Sequence, residues 1–150
     1  MDERRMGSLR NVSELAKEAE ADASRSLQEI RSRIDQAQDT LNQLESYRDE
    51  YRTQMASERS IPASALVRKR RFVCDLETTI EGQRKKVAEL SNEFGERMHR
   101  WQECRAQGLG LDRLIASHET RLSRLESERE QSESDDRVSH RSIANLDTTA

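Results

Sequence analysis

The apolar residues of this chain recur at alternating intervals of four and three over two long stretches. The first stretch runs through Ala23, Leu27, Ile30, Ile34, Ala37, Leu41 and Leu44. The second begins at Val73, Leu76 and Ile80 and continues through Trp101, Leu111, Ile115 and Leu122 to Leu125. A repeat with a mean spacing of 3.5 residues gives a helix one narrow apolar stripe, which coiled coils bury against a partner helix.

The composition agrees with long helices and argues against a compact enzyme. Charged residues make up 37% of the 150 residues and hydrophobic residues 33%, so a core of ordinary proportions cannot form. Five glycines and one proline leave few turns for a sheet. His99 and His118 have no ligand cluster at metal-binding spacing, and no glycine-rich phosphate loop is present. We therefore expect an all-α protein without a catalytic site, metal or cofactor.

The chain is predicted to fold back once, around its only proline, Pro62. We place helix one at about 9–56, the loop at about 57–62 and helix two at about 63–130. A short connection between two long stripes makes the helices antiparallel neighbours, so the predicted fold is a single two-helix coiled-coil hairpin. Residues 131–150 lose the apolar period and are predicted to be a disordered tail.

The alignment of the two helices follows from matching their stripes. In an antiparallel pair, the numbers of two facing residues add up to a constant. A sum of 117 places Ala37 opposite Ile80, Ile34 opposite Gln83 and Glu20 opposite Arg97. The competing sum of 124 sets Leu27 against Arg97, and burying an unpaired cation costs several kcal/mol. We therefore prefer 117, which leaves the stripe from Leu109 to Leu125 without a partner in the same chain.

The two stripes meet in a seam formed by positions a and d of the seven-residue repeat a to g, with Leu27, Ile34 and Leu41 at a in the first stretch and Val73 and Ile80 at a in the second. The two flanks of this predicted seam differ in chemistry. The e positions hold Gln38, Glu45, Arg52, Glu77 and Arg84, which is an ordinary solvated face. The g positions and the adjacent d positions form an uncharged strip, here called the aromatic strip: Thr40, Leu44, Tyr47, Tyr51, Phe72, Leu76, Thr79 and Gln83. Exposed aromatic side chains on a helix flank are typical interface anchors, but they can also thicken a narrow core. Both interpretations stay open on physical grounds.

The charge balance and the termini bear on partners and location. A net charge of −3 gives no general attraction to nucleic acid, although Arg68 to Arg71 form a basic run. That run suits an acidic protein partner or a solvated face better than nucleic acid, because it has no interleaved aromatic residues. No apolar run long enough for a bilayer and no secretory signal are present, so we expect a cytosolic protein. Cys74 and Cys104 lie too far apart on one helix to form a disulfide.

Several of these residues resemble a known family. The segment from Leu41 to Arg52, with Leu44, Tyr47 and Tyr51, is followed by Phe72, by Leu76 with Glu77, and by Trp101. Over about residues 9–130 the chain resembles the flagellar export protein FliJ family. The resemblance implies a non-enzymatic component of the flagellar type III export apparatus, in the cytoplasm and held at the inner membrane through protein contacts.

The resemblance also implies partners and contact residues. Such a hairpin is similar to the central stalk of rotary ATPases, lies in the ring of the export ATPase FliI, contacts the cytoplasmic domain of the gate protein FlhA, and assists export chaperones. The gate-binding residues would be those of the aromatic strip. The ring contacts would be Leu9, Val12, Ala16, Trp101, Leu111, Ile115 and Leu122. Two alternatives are a homodimeric coiled-coil scaffold and a nucleic-acid accessory protein that uses Arg68 to Arg71.

Overall fold

The computed structural model describes residues 2–57 and 60–148, and they form two long helices. Helix α1 spans Asp2–Ser57 and helix α2 spans Ala63–Asp147. The backbone N–H groups of Ala65 and Leu66 donate to the Pro62 oxygen at 3.0 and 3.1 Å, so α2 starts directly after the proline. No strand occurs in either described range. The helices pack against each other, which confirms the all-α hairpin.

Burial follows the heptad repeat. Ile30 and Ile80 are 0% and 1% exposed, and all the buried apolar residues occupy a or d positions: Met6, Ala23, Ile30, Ala37, Leu41, Val73 and Ile80. Ser13, the buried polar residue, also lies in the seam. The core is therefore a single line of contacts along each helix, as the spacing predicts.

The chain divides into two units, which are described separately. The loop-end unit comprises residues 19–104 and the terminal unit comprises residues 1–18 with 105–150, within the ranges that the structure describes. Each unit contains a segment of α1 packed against a segment of α2.

Cross-helix hydrogen bonds define the alignment of the helices in the loop-end unit. Gln83 Nε2 donates to the backbone oxygen of Ala37 at 2.9 Å. Arg97 Nη1 donates to the backbone oxygen of Ser26 at 3.0 Å. The predicted partners were Ile34 and Glu20, so these contacts lie three and six residues further along α1. The predicted alignment is wrong, and the helices are shifted toward the alternative that brings Arg97 near Leu27.

Two ion pairs lead to the same conclusion. Arg84 Nη2 lies 3.1 Å from Glu45 Oε1, and Arg52 pairs with Glu77. In the predicted alignment, the two residues of each ion pair would be displaced from each other by about 12 residues, which is about 18 Å along the helix axis. Arginine and glutamate side chains together cannot span that distance.

The surroundings of Arg97 explain why the shifted alignment is tolerated. The Arg97 side chain is 22% exposed, and its guanidinium group reaches three oxygen partners at the edge of the seam. These are the Ser26 backbone oxygen, Glu93 Oε1 at 2.5 Å and Glu29 Oε2 at 4.0 Å. These oxygen atoms offset the cost of desolvating the charged end of Arg97, while its apolar stem packs in the seam.

The terminal unit corrects the prediction that the stripe from Leu109 to Leu125 lacks a partner. Helix α1 begins at Asp2 instead of about residue 9, and Met6 is buried. Ser13 Oγ donates to Asp112 Oδ1 at 3.2 Å, and Arg10 pairs with Glu119 at 3.4 Å. The first turns of α1 therefore pack along α2, and four seam residues of that stripe are half-buried: Leu111, Ile115, His118 and Leu122.

The segment predicted to be a disordered tail differs from that expectation. Helix α2 continues to Asp147, and residues 123–148 are all exposed. The loss of the apolar period correctly indicates that this segment has no packing partner among the described residues. It does not indicate an irregular backbone, because the segment contains no glycine or proline and is rich in glutamate and arginine.

Candidate protein-binding surfaces

The e flank of the hairpin is a polar surface joined by ion pairs. In the loop-end unit, Arg52 pairs with Glu77 and Glu45 pairs with Arg84, and all four residues occupy e positions. In the terminal unit, Arg10 and Glu119 also occupy e positions. Each such exposed pair contributes little to stability, but together they give this flank a charged character.

The g flank of the loop-end unit carries the aromatic strip. The rings of Tyr51 and Phe72 come together across the two helices, with centroids 4.7 Å apart and planes inclined at 41°. Phe72 remains 44% exposed and Tyr47 is 59% exposed. Leu44 and Leu76 are half-buried in the adjoining seam. The structure thus joins an aromatic pair from both helices to an exposed tyrosine on the same flank.

The polar members of the strip already have hydrogen-bond partners. Thr40 Oγ1 donates to the Gln36 oxygen, and Thr79 Oγ1 donates to the Asp75 oxygen, each at 3.0 Å. The Gln83 amide is engaged with Ala37. Because these donors are satisfied within the hairpin, the recognition chemistry that the strip offers is mainly apolar and aromatic contact.

A groove lies beside the polar end of the strip. It lies beside Ala37, a small buried residue at a d position. The lining residues are Arg33, Gln36, Ala37, Thr40, Gln83, Lys86 and Leu90. The sequence pattern did not indicate Arg33 and Lys86 as part of this surface, although a small residue in the seam flanked by cations was a usable signal.

The residues predicted to contact the ATPase ring occupy different environments. Trp101 belongs to the loop-end unit and is half-buried. In the terminal unit five of them are half-buried in the seam: Leu9, Ala16, Leu111, Ile115 and Leu122. Only Val12, at a g position and 48% exposed, presents a largely free side chain. Leu114 also occupies a g position and is 46% exposed, but it was not predicted as a contact.

The cysteines and the potential metal ligands are the other groups to consider. Cys74 is exposed and Cys104 half-buried, and both are free thiols. Among the described residues, no three His, Cys, Asp or Glu side chains are placed to hold a metal ion. Neither helix, as far as it is described, contains a segment long and apolar enough to cross a bilayer.

Comparison with known proteins identifies the family. The family model described as Flagellar FliJ protein matches residues 6–146, which is nearly the whole chain. No curated protein matches the chain, and no solved structure does. The matched range includes the aromatic strip and nearly all of both helices. The chain therefore belongs to the FliJ family and is a component of the flagellar protein export apparatus.

Proposed function

We propose that this protein is a non-enzymatic stalk that couples the ring of the export ATPase FliI to the cytoplasmic domain of the export gate protein FlhA. In this role it works at the cytoplasmic side of the inner membrane, where protein contacts hold it. The observation that carries the proposal is the aromatic strip, with Tyr51 packed on Phe72 and Tyr47 exposed beside them. Clusters of exposed aromatic residues are the usual anchors of protein interfaces.

The difference between the two flanks indicates which of them binds FlhA. On the e flank, Arg52 and Arg84 are neutralised by partners within the hairpin, so this flank suits solvent. On the g flank, the threonine hydroxyls are satisfied internally and aromatic carbon is exposed. We therefore propose that FlhA contacts the g flank of the loop-end unit.

We assign the ATPase contact to the terminal unit. Val12 and Leu114 are exposed apolar residues at g positions of α1 and α2, whereas the neighbouring seam residues are occupied in packing the hairpin. Contacts that differ between the conformational states of the ring would let the stalk bias ring assembly or subunit conformation. Assistance to export chaperones belongs to the same proposed role and follows from family membership alone.

Titration calorimetry of the full chain with the FlhA cytoplasmic domain tests the gate assignment. We expect Tyr47→Ala to weaken binding about tenfold or more, because it removes an exposed aromatic anchor. Arg52→Ala is the matched control, since it removes a long side chain from the e flank at the same end of α1. Equal affinities for wild type and Tyr47→Ala would reject the strip as the gate surface.

The ATPase assignment is tested separately by pull-down with FliI. Val12→Asp combined with Leu114→Asp should reduce capture, while Leu15→Asp is the control on another exposed face of α1. Unchanged capture by the double variant would reject the terminal unit as the contact. Light scattering of the chain alone should give the mass of a monomer. A dimer at micromolar concentration would favour the homodimeric scaffold instead.

A further inference from the structure

The start of α2 combines an uncharged tip with a collar of positive charge. The tip comprises residues 60–67, which include Ile61, Pro62, Leu66 and Val67 and contain no charged residue. The basic collar follows at once: Arg68, Lys69, Arg70 and Arg71. In a chain that is 37% charged, eight consecutive uncharged residues beside four consecutive cations form a distinct surface.

The three arginines of the collar form no ion pair with an acidic residue that the structure describes. From residue 51 to residue 74, the described residues include five cations and no anion, and of these cations Arg52 and Lys69 each have an interaction partner. Arg70 and Arg71 are exposed, and no described residue forms an ion pair with either. Arg68 is exposed as well, and its Nε donates to the Ser64 backbone oxygen at 3.4 Å.

The polarity of α2 adds to this charge. Its first turn contains no acidic residue, so no side chain of that turn compensates the positive end of the helix dipole. Val67 is 66% exposed, and Ile61 and Leu66 are half-buried. The tip thus presents apolar side chains in front of a field that attracts anions.

From these observations we propose that the uncharged tip and the basic collar bind a membrane surface of anionic lipid. Successive residues of a helix point about 100° apart, so Arg68, Arg70 and Arg71 lie on different sides of α2. A flat protein partner on one side cannot engage all three, whereas a headgroup layer into which the tip dips surrounds them. The apolar side chains of the tip can enter the interfacial layer of a membrane, whereas a nucleic-acid backbone offers them no apolar contact.

This contact is additional to the proposed binding of FlhA. It involves the end of the loop-end unit, whereas the gate surface is the g flank, and it requires no other protein. Failure of one proposal therefore leaves the other standing, because vesicles replace the gate protein in the experiment.

Co-sedimentation of the full chain with vesicles tests the proposal. One set of vesicles is pure phosphatidylcholine, and the other contains phosphatidylglycerol as the anionic lipid. We expect binding only to the anionic vesicles, and weaker binding as salt is added. Arg70→Glu with Arg71→Glu should lower binding about tenfold or more, because each cation near an anionic surface contributes substantially. Val67→Ser should lower it about threefold, since it removes apolar contact from the tip.

The control variant is Arg137→Glu with Arg141→Glu, which changes net charge equally on the exposed end of α2. It should bind like wild type, and far-UV circular dichroism should show unchanged helicity for every variant. Equal loss in the control, equal binding to neutral vesicles, or no effect of the collar or Val67 variants would overturn the proposal. Binding to polyglutamate or a DNA duplex without binding to vesicles would also overturn it and assign the collar to an acidic protein or nucleic acid.

Discussion

The ring of Tyr51 on α1 lies against the ring of Phe72 on α2, with centroids 4.7 Å apart. This contact joins the two helices on the flank opposite the ion pairs Arg52–Glu77 and Glu45–Arg84. The same pair therefore stabilises the hairpin near the loop and also forms the centre of the proposed gate surface.

A double-mutant cycle measures the stabilising role of this pair. Tyr51→Ala, Phe72→Ala and the double variant should show a coupling energy of about 0.5–1.5 kcal/mol in the free energy of unfolding. The partial exposure of both rings favours the lower end of that range. Urea denaturation followed by circular dichroism gives the three values. A coupling energy near zero would mean that the rings do not interact in solution.

The stability of the hairpin should depend most on the two fully buried isoleucines of the seam, Ile30 and Ile80. Ile80→Ala is expected to lower the free energy of unfolding by about 2–5 kcal/mol, because the cavity cannot be filled by a neighbour in a single line of contacts. Val67→Ala, at a site that is 66% exposed, should change it by less than about 0.5 kcal/mol. Similar effects of the two substitutions would contradict the buried seam.

Two glycines within α2 should be sites for stabilisation. A Cβ atom added at Gly82 or Gly95 meets no other atom within 4 Å, apart from its own helix backbone and chain neighbours. Gly82→Ala and Gly95→Ala should therefore each raise the free energy of unfolding by about 0.5–1 kcal/mol, through helix propensity. Thermal unfolding checks this. A lower midpoint in either variant would show that the added methyl group encounters a contact.

The exposed end of α2 should contribute helix content but little stability to the packed hairpin. Truncation after Glu130 removes residues that are all exposed in the described range 131–148. We expect a lower total ellipticity at 222 nm together with an unchanged midpoint of urea unfolding, since no buried apolar area is lost. A large drop in the midpoint would show that this segment packs on something in solution.

The heptad spacing was sufficient to predict the fold and the seam. Every buried residue in the described ranges lies at a predicted seam position or on its continuation, including Met6 and Ser13 near the start of α1. The start itself was missed, because Ser13 and Ala16 give a weak apolar signal even though close packing of the helices suits small residues. The end of α2 was missed for a related reason. Loss of the apolar period removes the evidence for packing, but it does not remove helix propensity.

Matching the facing seam residues of the two helices does not predict the alignment, because it counts Arg97 as a fully buried seam residue. The free-energy cost of burying Arg97 depends on oxygen atoms outside the apolar seam, namely those of Ser26, Glu29 and Glu93. A long side chain can reach such partners from several alignments, so residue type alone does not exclude one of them. The aromatic strip was predictable as a flank, since heptad position fixes which side a residue faces. The contact of Tyr51 with Phe72 was not predictable, because it depends on how the two helices are aligned along their axes.

The alignment is tested most directly by disulfide formation in a chain with Cys74→Ser and Cys104→Ser. One variant adds Ser13→Cys with Asp112→Cys, at side chains that meet at 3.2 Å. The other adds Ser13→Cys with Arg105→Cys, one heptad away and close to the predicted alignment. Seven residues correspond to about 10.5 Å along a helix, whereas a disulfide needs Cα atoms within about 7 Å.

We expect mild oxidation to link residues 13 and 112 within one chain, seen as a monomer of altered mobility on a denaturing gel, and to leave the 13 and 105 pair unlinked. Preferential formation of a disulfide between residues 13 and 105 would support the alignment predicted from the sequence and contradict the structure. Disulfides formed only between chains would contradict the hairpin itself.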